Sequence, residues 1–540
     1  MPSIALPDDS AQRSAVTPRA LWIVLGFVLV HVVLAWVNRI PAISWGEDDA
    51  AYIFLARELR HFGYRELQDI AAPIHARFPP LYPLIIALTG WPFGEAADAL
   101  LVVNTLFTAA TIGLLFLATR RKLGEGIALM ASGLFAINPM SVWDSGHVMA
   151  EAPFKFFVIL GLWALTREDE HVKFAALAGA ATIAAALTRS AGIVLLPALF
   201  FYWVINRRYR WALMLFVAGC LTVGSWLTWT FLAPEPEHRR LYVADLGMTG
   251  PRDTRLEFFK SILLRLPERV QQMVTVVIPF VLSLPVVGGT VVDNAMWVVA
   301  IVGLGLAGAV LLARRWTMAA FVLVFYFGLL FIWRYALERF ASPLVPFLLL
   351  TVLLGADWLS RRFVPRWRRP AMATLVGLLA FGALRVEYGR VRASLACNRA
   401  NPVDDRGCWD SFARAYLKAA HWVRDSTPPS SRFFVNKERG FYMHSLRKSI
   451  NQDRTLQEDS LTLAPYLRAN GVEFAVAAQV GVRSDKHNVL LARACRDFVV
   501  LKELPQETVV LRLRQATDPP DDGTTCRVLA PYRAHFRPRE

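Results

Sequence analysis

The residues best suited to chemistry stand at the margins of apolar segments. Three adjacent carboxylates, Glu47, Asp48 and Asp49, open the run Asp48-Asp49-Ala50-Ala51-Tyr52 just after the first such segment. A carboxylate placed there is costly unless it faces water or works, and at a membrane edge it can take a proton from a hydroxyl. Capping of the amphipathic helix that follows is the plainer use. Arg77 precedes Pro79-Pro80-Leu81-Tyr82-Pro83 by two residues, and Arg334 and Arg339 stand between two later apolar segments. The planar guanidinium fork suits phosphate and carboxylate. Snorkelling explains Arg77 equally well, and an aromatic belt of Trp333, Tyr335 and Phe340 explains Arg339 as an interface anchor. His147 and Glu151 mark the mouth of the fourth segment. Glu151 either holds hydroxyls or pairs with an arginine from a neighbouring segment. His147 and Asp144 read first as satisfied polar groups, and Arg189 as a structural tie. No metal-ligand spacing appears. Asp48 and Asp49 could hold a divalent cation weakly, but arginine charge can replace it, so no cofactor or metal is expected to be required.

These residues need a frame, and the composition points to a membrane one. The 540 residues are 55% hydrophobic and 19% charged, with a net charge of +16 and a mean hydropathy of +0.38. Apolar runs of about 17–20 residues recur, the mark of a polytopic α-helical membrane protein with about 11 spans. The spans read as 20–37, 99–119, 126–143, a fourth ending near 166, 174–188, 190–206, 211–232, 295–313, 317–333, 341–358 and a short one at 371–385. Residues 1–19 read as a cytoplasmic tail and not a cleavable leader. The stretch 81–91 is too short to cross.

Basic clusters at 120–122, 207–210, 314–315 and 361–369 should all be cytoplasmic. An even number of crossings separates each pair only if 271–290 lies on the surface or is re-entrant. The loops 38–98 and 233–294 then face outside, as does residues 388–540, leaving 20–387 as the membrane domain. The excess of lysine and arginine is thereby spent on membrane anchoring, and no nucleic-acid motif is present.

Beyond 387 the composition is that of a soluble domain. Trp409 to Arg424 has a helical period, and 432–435, 474–478, 498–501 and 509–513 read as strands, giving a small α/β domain. Cys397, Cys408, Cys495 and Cys526 all lie in it. An even set suits disulfides in an oxidising compartment, most simply Cys397–Cys408 and Cys495–Cys526, although four cysteines allow three pairings.

In their order and their placement relative to the spans, the motifs resemble those of polyprenyl-phosphate-sugar-dependent glycosyltransferases of the GT-C fold. The closest families are the bacterial protein-mannosyltransferase-like and aminoarabinose-transferase-like proteins, including lipopolysaccharide galacturonosyltransferases. The carriers are Asp48-Asp49-Ala50-Ala51-Tyr52, Pro79-Pro80-Leu81-Tyr82-Pro83, Glu151-Ala152-Pro153-Phe154, Leu187-Thr188-Arg189 and Arg339-Phe340-Ala341-Ser342-Pro343-Leu344-Val345-Pro346. Asp49 stands where the family usually has Glu, and Phe340 where it has Tyr.

The resemblance implies an inverting transfer in one displacement. A lipid-bilayer donor, a polyprenyl-phosphate sugar, would be attacked by the hydroxyl of an envelope acceptor at the outer face of the inner membrane. Asp48 or Asp49 would be the base, with Glu47 as a substitute. Arg77, Arg339 and Arg334 would hold the donor phosphate. Tyr52, Tyr82, His147 and Glu151 would line the sugar and acceptor side. A multi-pass transporter and a non-catalytic envelope scaffold are the alternatives. A transporter would carry charges near span centres and an inverted repeat; here Lys155 and His31 are the main polar residues inside spans.

Overall fold

The computed structural model describes residues 16–39, 48–93, 97–232, 255–284, 295–333, 337–400, 409–450, 463–480 and 484–534. Glu47, Arg334 and Cys408 lie outside them. The chain divides into two compact units, residues 1–39 with 76–395, and 40–75 with 396–540. The division differs from the boundaries expected from sequence: residues 40–75, part of the loop 38–98, group with 396–540, and the first unit runs to 395.

The first unit is helical. It contains α1 (Pro18–Asn38), followed after the excursion by α3 (Leu81–Phe93), α4 (Ala97–Leu123), α5 (Glu125–Ile137), α6 (Pro139–Ser145), α7 (Glu151–Leu165) and α8 (Val172–Thr188), with α2 (Asp48–Leu59) belonging to the second unit. Among the described residues, six helices are long and apolar enough to cross a membrane, or seven if α5 and α6 count as one bent span. Shorter apolar helices include Val172–Thr188, Ser190–Ile205 and Thr317–Ile332. The last apolar helix is Arg368–Ala400, well beyond the short span expected at 371–385.

The single run read at 126–143 is bent by 57° between α5 and α6. Pro139 causes the break: it has no N–H to continue the ladder and forces Asn138 into extended backbone, φ −65° and ψ 128°. The Asn138 side chain accepts from Met140 N at 3.0 Å and donates to Val281 O at 2.8 Å. The fully buried His31 of α1 clamps both halves, with Nδ1 2.7 Å from Ala136 O and Nε2 2.9 Å from Ser145 Oγ. A carbonyl only accepts, so Nδ1 carries the proton. His31 is thus a structural tie between α1 and the bent α5–α6 pair.

Helices Ala295–Arg315 and Val345–Phe363 cross through glycines. A Cβ at Gly308 would stand 1.7 Å from Thr351 O, and one at Gly355 2.0 Å from Leu304 O. Such backbone approach needs small residues, as is general where helices associate without a hydrophobic drive between them.

The second unit is an α/β domain around a five-stranded sheet. Its strands are β1 (Phe433–Phe434), β2 (Ser449–Ile450), β3 (Phe474–Ala477), β4 (Phe498–Leu504) and β5 (Thr508–Leu513), in the order β2-β1-β3-β5-β4. The pairs β2-β1 and β1-β3 are parallel, and β3-β5 and β5-β4 antiparallel. The helical period after Trp409 forms Ser411–Ser426, capped by Asp410, which accepts from Ala413 N at 2.8 Å. Cys495 is disulfide-bonded to Cys526 with a Cα–Cα distance of 5.0 Å. Cys397 is also disulfide-bonded.

Residues 64–75 add to this sheet. Gln68 O accepts from Ser449 N at 2.9 Å, and Asp69 bridges Ser449 in parallel, so the loop adds to the free side of β2. The buried Glu66 binds His75 Nδ1 at 3.2 Å and Gln68 Nε2 at 2.8 Å, with Arg439 at 3.9 Å. Phe54 of α2 meets Tyr442 edge-on, 5.3 Å between ring centroids. Backbone pairing, a buried carboxylate and ring packing are why this segment belongs with a domain encoded hundreds of residues later.

Two stability predictions follow from these contacts. G308A or G355A should cost about 1–3 kcal/mol or more, seen as a lower melting temperature and loss of monodisperse protein in detergent. In the second unit, His487 is fully buried against Phe434, with Nε2 3.0 Å from Val476 O. Burial pushes its imidazole down to about 4, below the ordinary value of about 6.5. The unfolded chain therefore binds the extra proton first, and stability falls as pH drops from about 6.5 to about 4. Between pH 7 and pH 5 the loss should be about 2 kcal/mol, and H487L should melt with a shallower pH dependence over that range.

Candidate active site

The site is built at one end of the α7–α8 hairpin. The opposite end is the basic one: Arg121 pairs with Glu170, Arg208 with Asp169, and Tyr202 Oη donates to Glu168 at 2.8 Å. α7 has 15 residues, so its two ends lie about 22 Å apart at 1.5 Å per residue.

Glu151 is the first residue of α7 and has no exposure. Its Oε1 lies 2.9 Å from Arg189 Nη1 and 2.9 Å from Arg339 Nε. Arg189 follows the last residue of α8, and Arg339 sits in the short turn Leu337–Phe340. Three separate chain segments therefore converge on one carboxylate. Arg339 also donates to Met149 Sδ at 3.6 Å, and the Arg189 guanidinium lies 5.6 Å from the Phe340 ring centre. Glu151 Oε2 is buried with no hydrogen-bond partner among the described residues. One carboxylate between two guanidiniums leaves a net single positive charge, and the N-terminus of α7 adds partial positive charge.

One turn further along α7, the fully buried Lys155 donates to Asp144 Oδ2 at 2.5 Å and lies 3.2 Å from Ser342 Oγ. Ser342 Oγ donates to the same Asp144 oxygen at 2.5 Å. Lys155 is thus a paired charge inside the bundle. Asp144 is only half satisfied: Oδ2 takes both contacts, while Oδ1 is buried with no hydrogen-bond partner among the described residues.

The turn that delivers Glu151 is held from α4 and α3. Asn104 Nδ2 donates to His147 O at 2.6 Å and to Met149 O at 3.0 Å, and Tyr82 Oη donates to Asn104 Oδ1 at 3.2 Å. Tyr82 is buried, so its hydroxyl supports the turn. His147 stacks on Trp143, 4.2 Å between centroids, with Nδ1 2.8 Å from Trp143 O. An asparagine within an apolar span was the only sequence signal for Asn104.

Arg77 is exposed; its guanidinium lies 5.9 Å from the Phe78 ring, and its carbonyl accepts from Ser190 Oγ at 3.4 Å. Its backbone is therefore tied to the residue after Arg189. Asp48 and Asp49 are in the second unit, in the first turn of α2, where negative charge suits the helix N-terminus. Asp49 is buried and accepts from Ala50 N at 2.8 Å. Tyr52 is buried in the same helix. Among the described residues no group of three His, Cys, Asp or Glu side chains is placed to hold a metal ion.

A family model described as dolichyl-phosphate-mannose-protein mannosyltransferase matches residues 77–231, the segment carrying Arg77, Tyr82, His147, Glu151 and Arg189. No curated protein matches the chain. Solved structures do. The Archaeoglobus fulgidus oligosaccharyltransferase AglB, in complex with an inhibitory peptide and a dolichol-phosphate, has a TM-score of 0.56 at 13% identity, covering 93% of this chain and 75% of that one. ArnT from Cupriavidus metallidurans in the apo state has a TM-score of 0.56 at 15% identity, covering 94% and 100%. The same protein bound to undecaprenyl phosphate has a TM-score of 0.53 at 16% identity, covering 93% and 99%. The chain is a polytopic membrane protein with the GT-C fold, and the family match and the fold together support glycosyltransferase activity.

Breaking the central cluster should be costly. E151A leaves two arginines facing each other without their carboxylate, and removing one partner of a buried pair costs about 3–5 kcal/mol. The melting temperature of the purified variant should fall sharply, whereas E151A with R189M should recover part of the loss.

Proposed function

We propose that this protein transfers a sugar from a polyprenyl-phosphate donor to a hydroxyl of an envelope acceptor, at the outer face of the inner membrane and with inversion. The observation that carries the reading is the Glu151–Arg189–Arg339 cluster: a preorganised excess of positive charge at the margin of an apolar bundle, opposite the basic ends of the spans. Such charge stabilises a departing phosphate, where negative charge grows in the transition state. The two similar structures that hold a dolichol-phosphate and an undecaprenyl phosphate support the same class of lipid.

In this reading Arg339, with Arg77 and Arg334, receives the donor phosphate. Asp48 or Asp49 takes the proton as the acceptor oxygen attacks the anomeric carbon and the polyprenyl phosphate leaves, with Glu47 as the substitute base. The unpaired Oε2 of Glu151 accepts from a sugar hydroxyl, His147 lines the sugar side, and Tyr52 is assigned to the acceptor side. Tyr82 acts through Asn104. Charge comes from arginine, so no metal ion is required. Lipid, lipopolysaccharide, polysaccharide and protein are the acceptor classes, and residues 396–540 with their attached loop face the compartment that holds them.

The test compares envelope lipids, lipopolysaccharide and glycoproteins by mass spectrometry in four strains: a deletion, and the deletion carrying wild type, D48N or D49N. One sugar mass should vanish in the deletion and return with wild type. The variant lacking the base should make about 100-fold less product or lower still while purifying and melting like wild type. Full restoration by both variants would remove these carboxylates from the mechanism. An unchanged glycan profile in every strain would favour transport or scaffolding.

A further inference from the structure

The Asp144–Lys155–Ser342 group stands beside the charged cluster without belonging to it. Glu151 and Lys155 are four residues apart on α7, and Arg339 and Ser342 three residues apart on the facing segment. The spacing on α7 puts Glu151 and Lys155 on one helical face, while Ser342 begins the turn that follows the one holding Arg339. The two segments are therefore cross-linked twice in register, by Glu151–Arg339 at 2.9 Å and by Lys155–Ser342 at 3.2 Å. The second link is anchored on α6 by Asp144, which takes hydrogen bonds from both Lys155 and Ser342. All three side chains are at most 1% exposed. A neutral apolar trio would pack there without the desolvation that a buried ion pair requires, so the group is poorly explained by stability alone. A hydrogen-bonded charge pair does what apolar packing does not: it fixes one rotation and one register between two segments.

We propose that Asp144, Lys155 and Ser342 are positioning residues that set the Arg339 guanidinium for the donor phosphate. The proposal rests on the reading of Arg339 given above. Ser342 carries the information, since it opens the short turn Ser342–Leu344 that directly follows the arginine's turn Leu337–Phe340. Losing its hydroxyl releases that turn from Asp144 while the Lys155–Asp144 pair stays intact and the net charge is unchanged. Arg339 then keeps its contact with Glu151 but loses its fixed approach to the phosphate.

The experiment measures binding of undecaprenyl phosphate to the purified full-length protein in nanodiscs of zwitterionic lipid. Four proteins are compared: wild type, S342A, R339K and the double variant. S342A should weaken binding about fivefold, and R339K about tenfold through loss of the guanidinium fork. In the R339K background S342A should change binding less than about twofold, since its effect runs through the arginine. S342C is nearly isosteric with serine and a weak donor, so it should weaken binding as S342A does, and it covers the case in which S342A folds poorly.

Effects that multiply in the double variant, or S342C binding like wild type, would overturn the positioning role and leave the reading of Arg339 intact. Wild-type binding by R339K would overturn that reading and the positioning role with it.

Discussion

A carboxylate with no exposure to water, bridging two arginines, is the constraint on which the first unit turns. Glu151 cannot be left alone in a low-dielectric interior, and neither can Arg189 or Arg339 be left facing each other. Satisfying all three forces the start of α7, the end of α8 and the segment 337–342 to one place. The other buried polar contacts serve that meeting. Asn104 holds the turn before Glu151, His31 and Asn138 hold the bent α5–α6 pair, and Lys155 draws Asp144 and Ser342 together. The same charges that set the geometry give the site its excess of positive potential, so architecture and chemistry share their residues.

The second unit solves a similar problem with different means. Glu66 is buried among His75, Gln68 and Arg439, and it folds the loop back on itself beside β2. Most of α2 is buried, from Asp49 to Ala56. The carboxylates at its start are thus presented by a packed helix and not by a free loop. Packing of α2 on its other faces gives these carboxylates a defined direction.

What could be read from the chain follows from what each signal reports. Apolar length and period describe a residue's immediate surroundings, so the membrane class, most helices and the strands at 433, 474, 498 and 509 were legible. Four cysteines in one polar region were enough to suggest Cys495–Cys526. Strand β2 was not legible, because Ser449–Ile450 follows Arg447-Lys448 and has no apolar run like the Phe433-Phe434-Val435 that marks β1. Pro139 announced a break that the hydropathy of 126–143 concealed. The partner of Lys155 could not be found by scanning windows, since Asp144 and Ser342 are neighbours only in the folded bundle. The assignment of residues 40–75 to the C-terminal unit was hidden for the same reason: Gln68 and Ser449 meet through backbone hydrogen bonds, which leave no mark on side-chain composition.

That last contact has a consequence in time. Nearly the whole membrane unit is synthesised between Gln68 and Ser449. At about 5–20 residues per second, α2 and the segment around Glu66 wait on the order of tens of seconds before the strand they pair with exists. During that interval the carboxylate-bearing helix has its apolar face uncovered and the loop has no sheet to join. The acidic segment therefore matures last although it is made first, and a ribosome that stops short of β2 leaves a chain with its spans assembled and its acidic loop unfolded. Truncation late in the gene is thus felt near its beginning.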